Sequence, residues 1–160
     1  MNKIIVDGYN MIYRIPKLAR MMESDLEQAR SELIWLLKSY LVRARVHIVL
    51  VFDGKYAGLN TTSPRVKNRL QIIFSKHPIK ADPIIKKMIH DEKKKKGLTL
   101  VSEDKELMQY ARSAGSQVLS PAEFLHRIEK RVYKNELHNK YDMDLSEEEI
   151  AEWLEIFGEK

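Results

Sequence analysis

Cysteine is missing from all 160 residues, which excludes a disulfide framework and any thiolate-held metal. Such a chain suits a reducing compartment, and the cytoplasm is the expected location. No apolar run approaches the roughly 18 residues that a membrane-spanning helix needs, and the N-terminus lacks a basic-then-apolar signal segment. The histidines at 47, 77, 90, 126 and 138 keep no metal-ligand spacing and read as structural or exposed. A P-loop, Gly-x-Gly-x-x-Gly and Gly-x-Ser-x-Gly are all absent, which counts against nucleotide cofactors and serine hydrolase chemistry. No repeat on the order of 20 to 50 residues is evident.

What is present is a hydrophobic fraction of 44%, enough for one domain to bury a core. The net charge of +5 is unevenly spread. Residues 54–96 hold twelve of the 28 Lys and Arg and three of the 23 acids, so the remainder sums to −4. Residues 142–160 alone carry eight acids and one lysine. A basic middle with an acidic end suggests a polyanion-binding surface, although a lysine run such as 93–96 serves equally as a solvated face.

Two stretches share one grammar. Lys3-Ile4-Ile5-Val6 runs into Asp7-Gly8, and Val46 to Phe52 runs into Asp53-Gly54. Each is an apolar strand that delivers a carboxylate to the point where the chain must turn. Leu70–Ser75, Leu98–Val101 and Gln117–Leu119 read as three further strands. Between them, Ser24-x-x-Glu27 has a capping-box pattern ahead of a helix to about Val42, with Leu26, Ala29, Leu33, Leu36, Leu37, Tyr40 and Leu41 on one stripe. Asp82-Pro83 reads as N-cap and first turn of a helix that Gly97 ends, and Ser102 as the cap of a helix that Gly115 stops. Ser120-Pro121-Ala122-Glu123 opens a helix to about Val132. Residues 54–68 read as a loop long enough to bind something.

Strands alternating with helices predict an α/β fold, with a mostly parallel central sheet of about five strands and helices on both faces. The expected division is a domain over 1–133, a linker over 134–145, and an amphipathic helix over 146–158. That helix carries Ile150, Trp153, Leu154 and Phe157 and is expected to dock on the same domain, since the stripe is costly to leave in water.

On this frame Asp7, Asp53, Asp82 and Asp104 fall at one edge of the sheet. Taken singly, each has a structural reason to exist, as a turn former, a helix cap or a dipole-compensating acid. Together they repel, by about 4 kcal/mol for two charges 4 Å apart at an effective dielectric near 20. Hard carboxylate oxygens without sulfur or suitably placed imidazole point to Mg²⁺ or Mn²⁺ as the offsetting charge.

Val6-Asp7-Gly8-Tyr9-Asn10, Val51-Phe52-Asp53-Gly54, Ala81-Asp82 and Val101-Ser102-Glu103-Asp104-Lys105-Glu106-Leu107 resemble the motifs of NYN-domain ribonucleases, in the YacP-like branch. The resemblance covers essentially the whole chain, including the Glu-rich Trp-Leu-x-x-Phe end. It implies a PIN-like fold and a metal-dependent endoribonuclease. Asp7, Asp82 and Asp104 are the implied metal ligands, Asp53 matches a further family acid, and Asn10 is an assisting polar group. Where the family commonly has Thr-Ser-Asp, this chain keeps a hydroxyl at Ser102 but places Glu103 next to it, a further carboxylate at the edge.

RNA is the implied partner, and some relatives act on messenger RNA at the ribosome. Lys55, Arg65, Lys67 and Arg69, in or beside the loop after Asp53, and Lys80, Lys86 and Lys87, flanking Asp82, are the expected phosphate contacts. Two other readings stay open on the residues. One is a noncatalytic RNA- or ribosome-binding adaptor with the same fold, and the other a Mg²⁺-dependent phosphohydrolase of a small phosphoester.

Overall fold

A computed structural model describes residues 1–54, 68–75 and 80–141, with side chains as far as 132. The order of elements is β1 (Asn2–Asp7), α1 (Gly8–Arg14), α2 (Pro16–Ser24), α3 (Leu26–Arg43), β2 (Val46–Asp53), β3 (Leu70–Ser75), α4 (Ala81–Asp91), β4 (Leu98–Val101), α5 (Lys105–Ser113), β5 (Gln117–Leu119) and α6 (Pro121–Tyr141). The five strands form one sheet in the order β3-β2-β1-β4-β5, and every pairing is parallel. The expected α/β fold class is therefore the observed one.

Alternation along the strands assigns the two faces. Ile4 and Val6 of β1, with Ile48, Leu50 and Phe52 of β2, pack among α1, α2, α3 and α6. Ile5, Val49 and Val51 turn the other way, onto Ile85 and Ile89 of α4 and Leu107 and Ala111 of α5. Both faces being covered explains why β2 is apolar at nearly every position. The stripe on α3 is core as expected, with Ala29, Leu33, Leu37, Tyr40 and Leu41 buried.

Several boundaries differ from those read in the sequence, each for a local reason. Tyr9 to Ser24 folds as two short helices, the second opened by Pro16 in its first turn. Ser24 ends α2, its hydroxyl donating to the Met21 carbonyl, so the cap of α3 passes to Asp25, which accepts from the Gln28 N–H at 3.1 Å. Helix α4 begins at Ala81, with Lys80 in the cap place and Asp82 already in the first turn. It stops at Asp91 instead of Gly97, and Lys95 folds back to donate to the carbonyls of Ile89, His90 and Glu92. A lysine on those orphan carbonyls offsets the negative helix end.

Ser120 and Glu123 form the reciprocal capping box read from the sequence, at 3.0 and 3.1 Å. Helix α6 then continues to Tyr141, through much of the expected linker. The expected helix over 146–158 and most of the loop after Gly54 lie outside the described residues.

Gly8 is required by packing. A Cβ there would stand 2.4 Å from two ring carbons of Phe52 and 3.0 Å from the Val51 carbonyl, so only glycine lets α1 start this close to β2. Among the described residues no helix is long and apolar enough to cross a membrane.

Candidate active site

The strand order reverses between β1 and β4. From β1 the sheet grows through β2 to β3, and from β4 it grows the other way through β5. In open α/β sheets ligands gather outside the carboxyl ends of the strands at such a switch point. Here those ends carry Asp7, which closes β1, and Ser102 to Asp104, which follow β4.

Ser102 joins them. Its hydroxyl is fully buried, donates to Asp7 Oδ2 at 3.2 Å and accepts the Asp104 N–H at 3.1 Å. Asn10, in the first turn of α1, accepts the Glu103 N–H through Oδ1 at 2.7 Å. Asp104 caps α5 by accepting the Leu107 N–H at 3.1 Å. One carboxylate, one amide and one hydroxyl thus fix the loop from Ser102 to Asp104 against β1 and α1.

Asp82 arrives from the other side, on the first turn of α4. Burial raises its pKa first, the charge of Asp104 and a hydrogen bond shared with that carboxyl raise it further, and Lys86 opposes them. Asp7 is only 8% exposed, and burial pushes its carboxyl up to about 6. The charges of Asp82 and Asp104 add to that rise, while the Ser102 hydroxyl and the Asn10 backbone lower it. Asp7, Asp82 and Asp104 therefore form one electrostatic unit. Among the described residues no group of three or more carboxylates and imidazoles stands close enough together to hold a metal ion as placed.

Asp53 is placed differently. It stands at the end of β2, where its Oδ1 accepts the Ser75 hydroxyl at 2.9 Å and the Ala81 N–H at 2.8 Å. Glu103, the further carboxylate expected at the edge, pairs instead with Arg14 Nε at 2.5 Å.

The basic residues also separate. Lys86 lies one turn beyond Asp82 on α4, bonded to Glu106 at 2.6 Å and 5.9 Å from the Tyr110 ring centre. Lys80 and Lys87 are exposed beside it. Arg69 does not join them. Its guanidinium donates to the carbonyls of Leu41 and Ala44 at 2.8 Å each and of Val46 at 3.4 Å, at the far end of β3 from the acids. Arg69, expected among the phosphate contacts, is thus placed on the α3 terminus. Lys55, Arg65 and Lys67 lie outside the described residues.

Two residues central to the site carried little sequence signal. Ser102 was legible only as the hydroxyl kept from the family motif and as the cap of α5, a place the structure gives instead to Asp104. Arg30 is 6% exposed and bonds the Tyr9 hydroxyl through Nε and Nη2. Its guanidinium sits 5.4–5.6 Å from the ring centres of Tyr9, Phe52 and Phe74, which holds α1 and hence Asn10 against β2. An arginine on a helix face gives no warning of that role.

A five-stranded parallel sheet that gathers acids at its switch point defines a doubly wound α/β protein with an acidic candidate site. The sequence profile of the YacP-like NYN domain matches residues 4–156, and the chain belongs to that family. It is similar to the uncharacterized protein YacP of Bacillus subtilis (strain 168), 33% identical over 89 residues, which is 55% of this chain and 51% of that protein. The match thus spans about half of the relative's length. Two solved structures share the fold. That of Rae1 (YacP) from Bacillus subtilis gives a TM-score of 0.74 at 24% identity, covering 99% of this chain and 90% of that one. A point mutant of the same protein gives 0.73 at 22%, covering 96% and 90%.

Proposed function

We propose that this protein is a divalent-metal-dependent endoribonuclease that hydrolyses RNA phosphodiester bonds at the edge formed by Asp7, Asp82 and Asp104. The observation that supports this most is the gathering of Asp7, Asp82 and Asp104 at a topological switch point, where burial first and neighbouring acid charge second raise the pKa values of Asp7 and Asp82. Carboxylates gathered at a partly buried edge are costly to keep charged unless a cation joins them.

The donor set fits Mg²⁺ or Mn²⁺. All candidate ligands are hard oxygens, the donors taken by an ion that keeps several waters and shares its shell with substrate phosphate. When bound, such an ion supplies Lewis-acid stabilisation at the phosphate and an acidified water. Asp7, Asp82 and Asp104 would hold it. Asn10, whose Oδ1 is engaged by the Glu103 N–H, keeps its amide nitrogen to donate to a phosphate oxygen.

Lys80, Lys86 and Lys87 place positive charge beside Asp82 for the flanking phosphates. Lys55, Arg65 and Lys67 belong to the same basic stretch of sequence and extend the proposed RNA path. Cytoplasmic messenger RNA at the ribosome is the substrate setting the family resemblance points to. The adaptor reading drew on Glu103, whose side chain pairs with Arg14.

The test is incubation of purified protein with single-stranded and structured RNAs in Mn²⁺, Mg²⁺ or EDTA. Cleavage in either metal, lost in EDTA and in Asp82→Asn protein that melts like wild type, is expected. RNA binding without cleavage in any metal would replace the nuclease with the adaptor. Failure to bind RNA, with turnover of small phosphoesters, would favour the phosphohydrolase.

A further inference from the structure

Asp53 and Ser75 close neighbouring strands and face each other in register. Ser75 is 1% exposed and Ala81 7%, and both donate to the same carboxylate oxygen, Asp53 Oδ1. The Ala81 N–H is one of the orphan donors of a helix start, which some acceptor must satisfy. Lys80, in the cap place, makes no side-chain cap bond. The cap of α4 therefore comes from β2, braced by β3, and the next residue after the capped peptide is Asp82.

We propose that Asp53 is a positioning residue that sets Asp82 through the first N–H of α4, and is not itself a metal ligand. The inference rests on the nuclease reading above and deepens it. Asp7 belongs to β1 and Asp104 to the turn into α5, so the distance from Asp82 to either depends on where the first turn of α4 is pinned. A displacement of about 1 Å there is enough to spoil shared coordination.

The two roles separate by substitution. Asp53→Asn keeps an acceptor oxygen in place and removes the charge, and Asn caps helices about as well as Asp. Asp53→Ala removes both. Mn²⁺ affinity by calorimetry and the Ala81 amide exchange rate by NMR are the readouts, taken on the full chain.

Asp53→Ala is expected to weaken Mn²⁺ binding by about 10- to 100-fold, the usual effect of losing a group that orients a ligand, and to speed Ala81 exchange. Asp53→Asn is expected to stay within about threefold of wild type in both. Equal loss of Mn²⁺ affinity in the two variants would show that the charge matters and overturn the proposal, as would unchanged affinity in Asp53→Ala. Should Asp53→Ala fail to fold, Ser75→Ala replaces it, leaving the charge but loosening the clamp. Its predicted result is weaker Mn²⁺ binding with Asp53→Asn unaffected, and the reverse order refutes the clamp. If wild type binds no Mn²⁺, the metal reading fails separately, and Ala81 exchange alone then decides whether Asp53 pins the helix.

Discussion

Replacing Asp7 by Asn should make the metal-free protein more stable, although Asp7 is a proposed ligand at the centre of the site. The folded-state pKa of Asp7 is raised from 3.8 to about 6. The folded protein therefore holds the proton more tightly than the unfolded chain, and stability falls as pH rises from about 4 through 6 and levels off above. At 1.36 kcal/mol per unit the loss is about 3 kcal/mol. Asn imitates the protonated form and still offers an oxygen to the Ser102 hydroxyl.

Urea unfolding of both proteins in EDTA at several pH values isolates this group, because the remaining carboxylates are common to both. Asp7→Asn should exceed wild type by about 3 kcal/mol near pH 8, and the gap should close towards pH 4. Excess Mn²⁺ should stabilise wild type by about 2.7 kcal/mol at a hundred times Kd and do little for the variant, so the gap shrinks again. A variant no more stable than wild type near pH 8 in EDTA, or a gap that ignores pH, would refute the reasoning.

Two further substitutions test the packing. Gly8→Ala gains up to about 1 kcal/mol of helix propensity but drives a methyl into the buried Phe52 ring, an overpacking cost of about 1–3 kcal/mol; a net loss is expected in denaturant melts, relieved by a smaller residue at 52. Arg69→Ala should cost about 2 kcal/mol by freeing the carbonyls at the α3 terminus while leaving RNA affinity of the folded protein unchanged. A drop in the salt slope of binding by about 0.7 log unit in that variant would return Arg69 to the RNA path.

The sheet was legible because each strand is short, apolar and ended by a turn signal, and because burial on both faces leaves β2 no polar alternation to confuse with a helix. Helix ends were less legible where two candidate caps stand side by side. Ser24 and Asp25 both suit the start of α3, and only the preceding helix, which takes Ser24 into its last turn, decides between them. Gly97 looked like the stop of α4, yet Lys95 reaches the last carbonyls first, so the helix ends before the glycine is needed.

At the site, acids at strand ends could be placed on one edge from sequence alone, since their positions follow from the backbone. What each carboxylate does there could not be read in the same way. Asp7 and Asp53 end their strands with the same Asp-Gly phrase, but one meets Ser102 across the switch point and the other meets Ser75 and the start of α4. Their difference is set by strand order. β1 has β4 beside it and β2 has β3, and a strand's neighbour is not written in the strand. The place of Arg69 was illegible for a related reason. It sits beside the loop in sequence, but β3 carries the chain from the far end of the sheet towards the acids, so its first residues lie where the strand begins. The distance along the chain from Asp53 is short, and the distance across the sheet is the length of a strand.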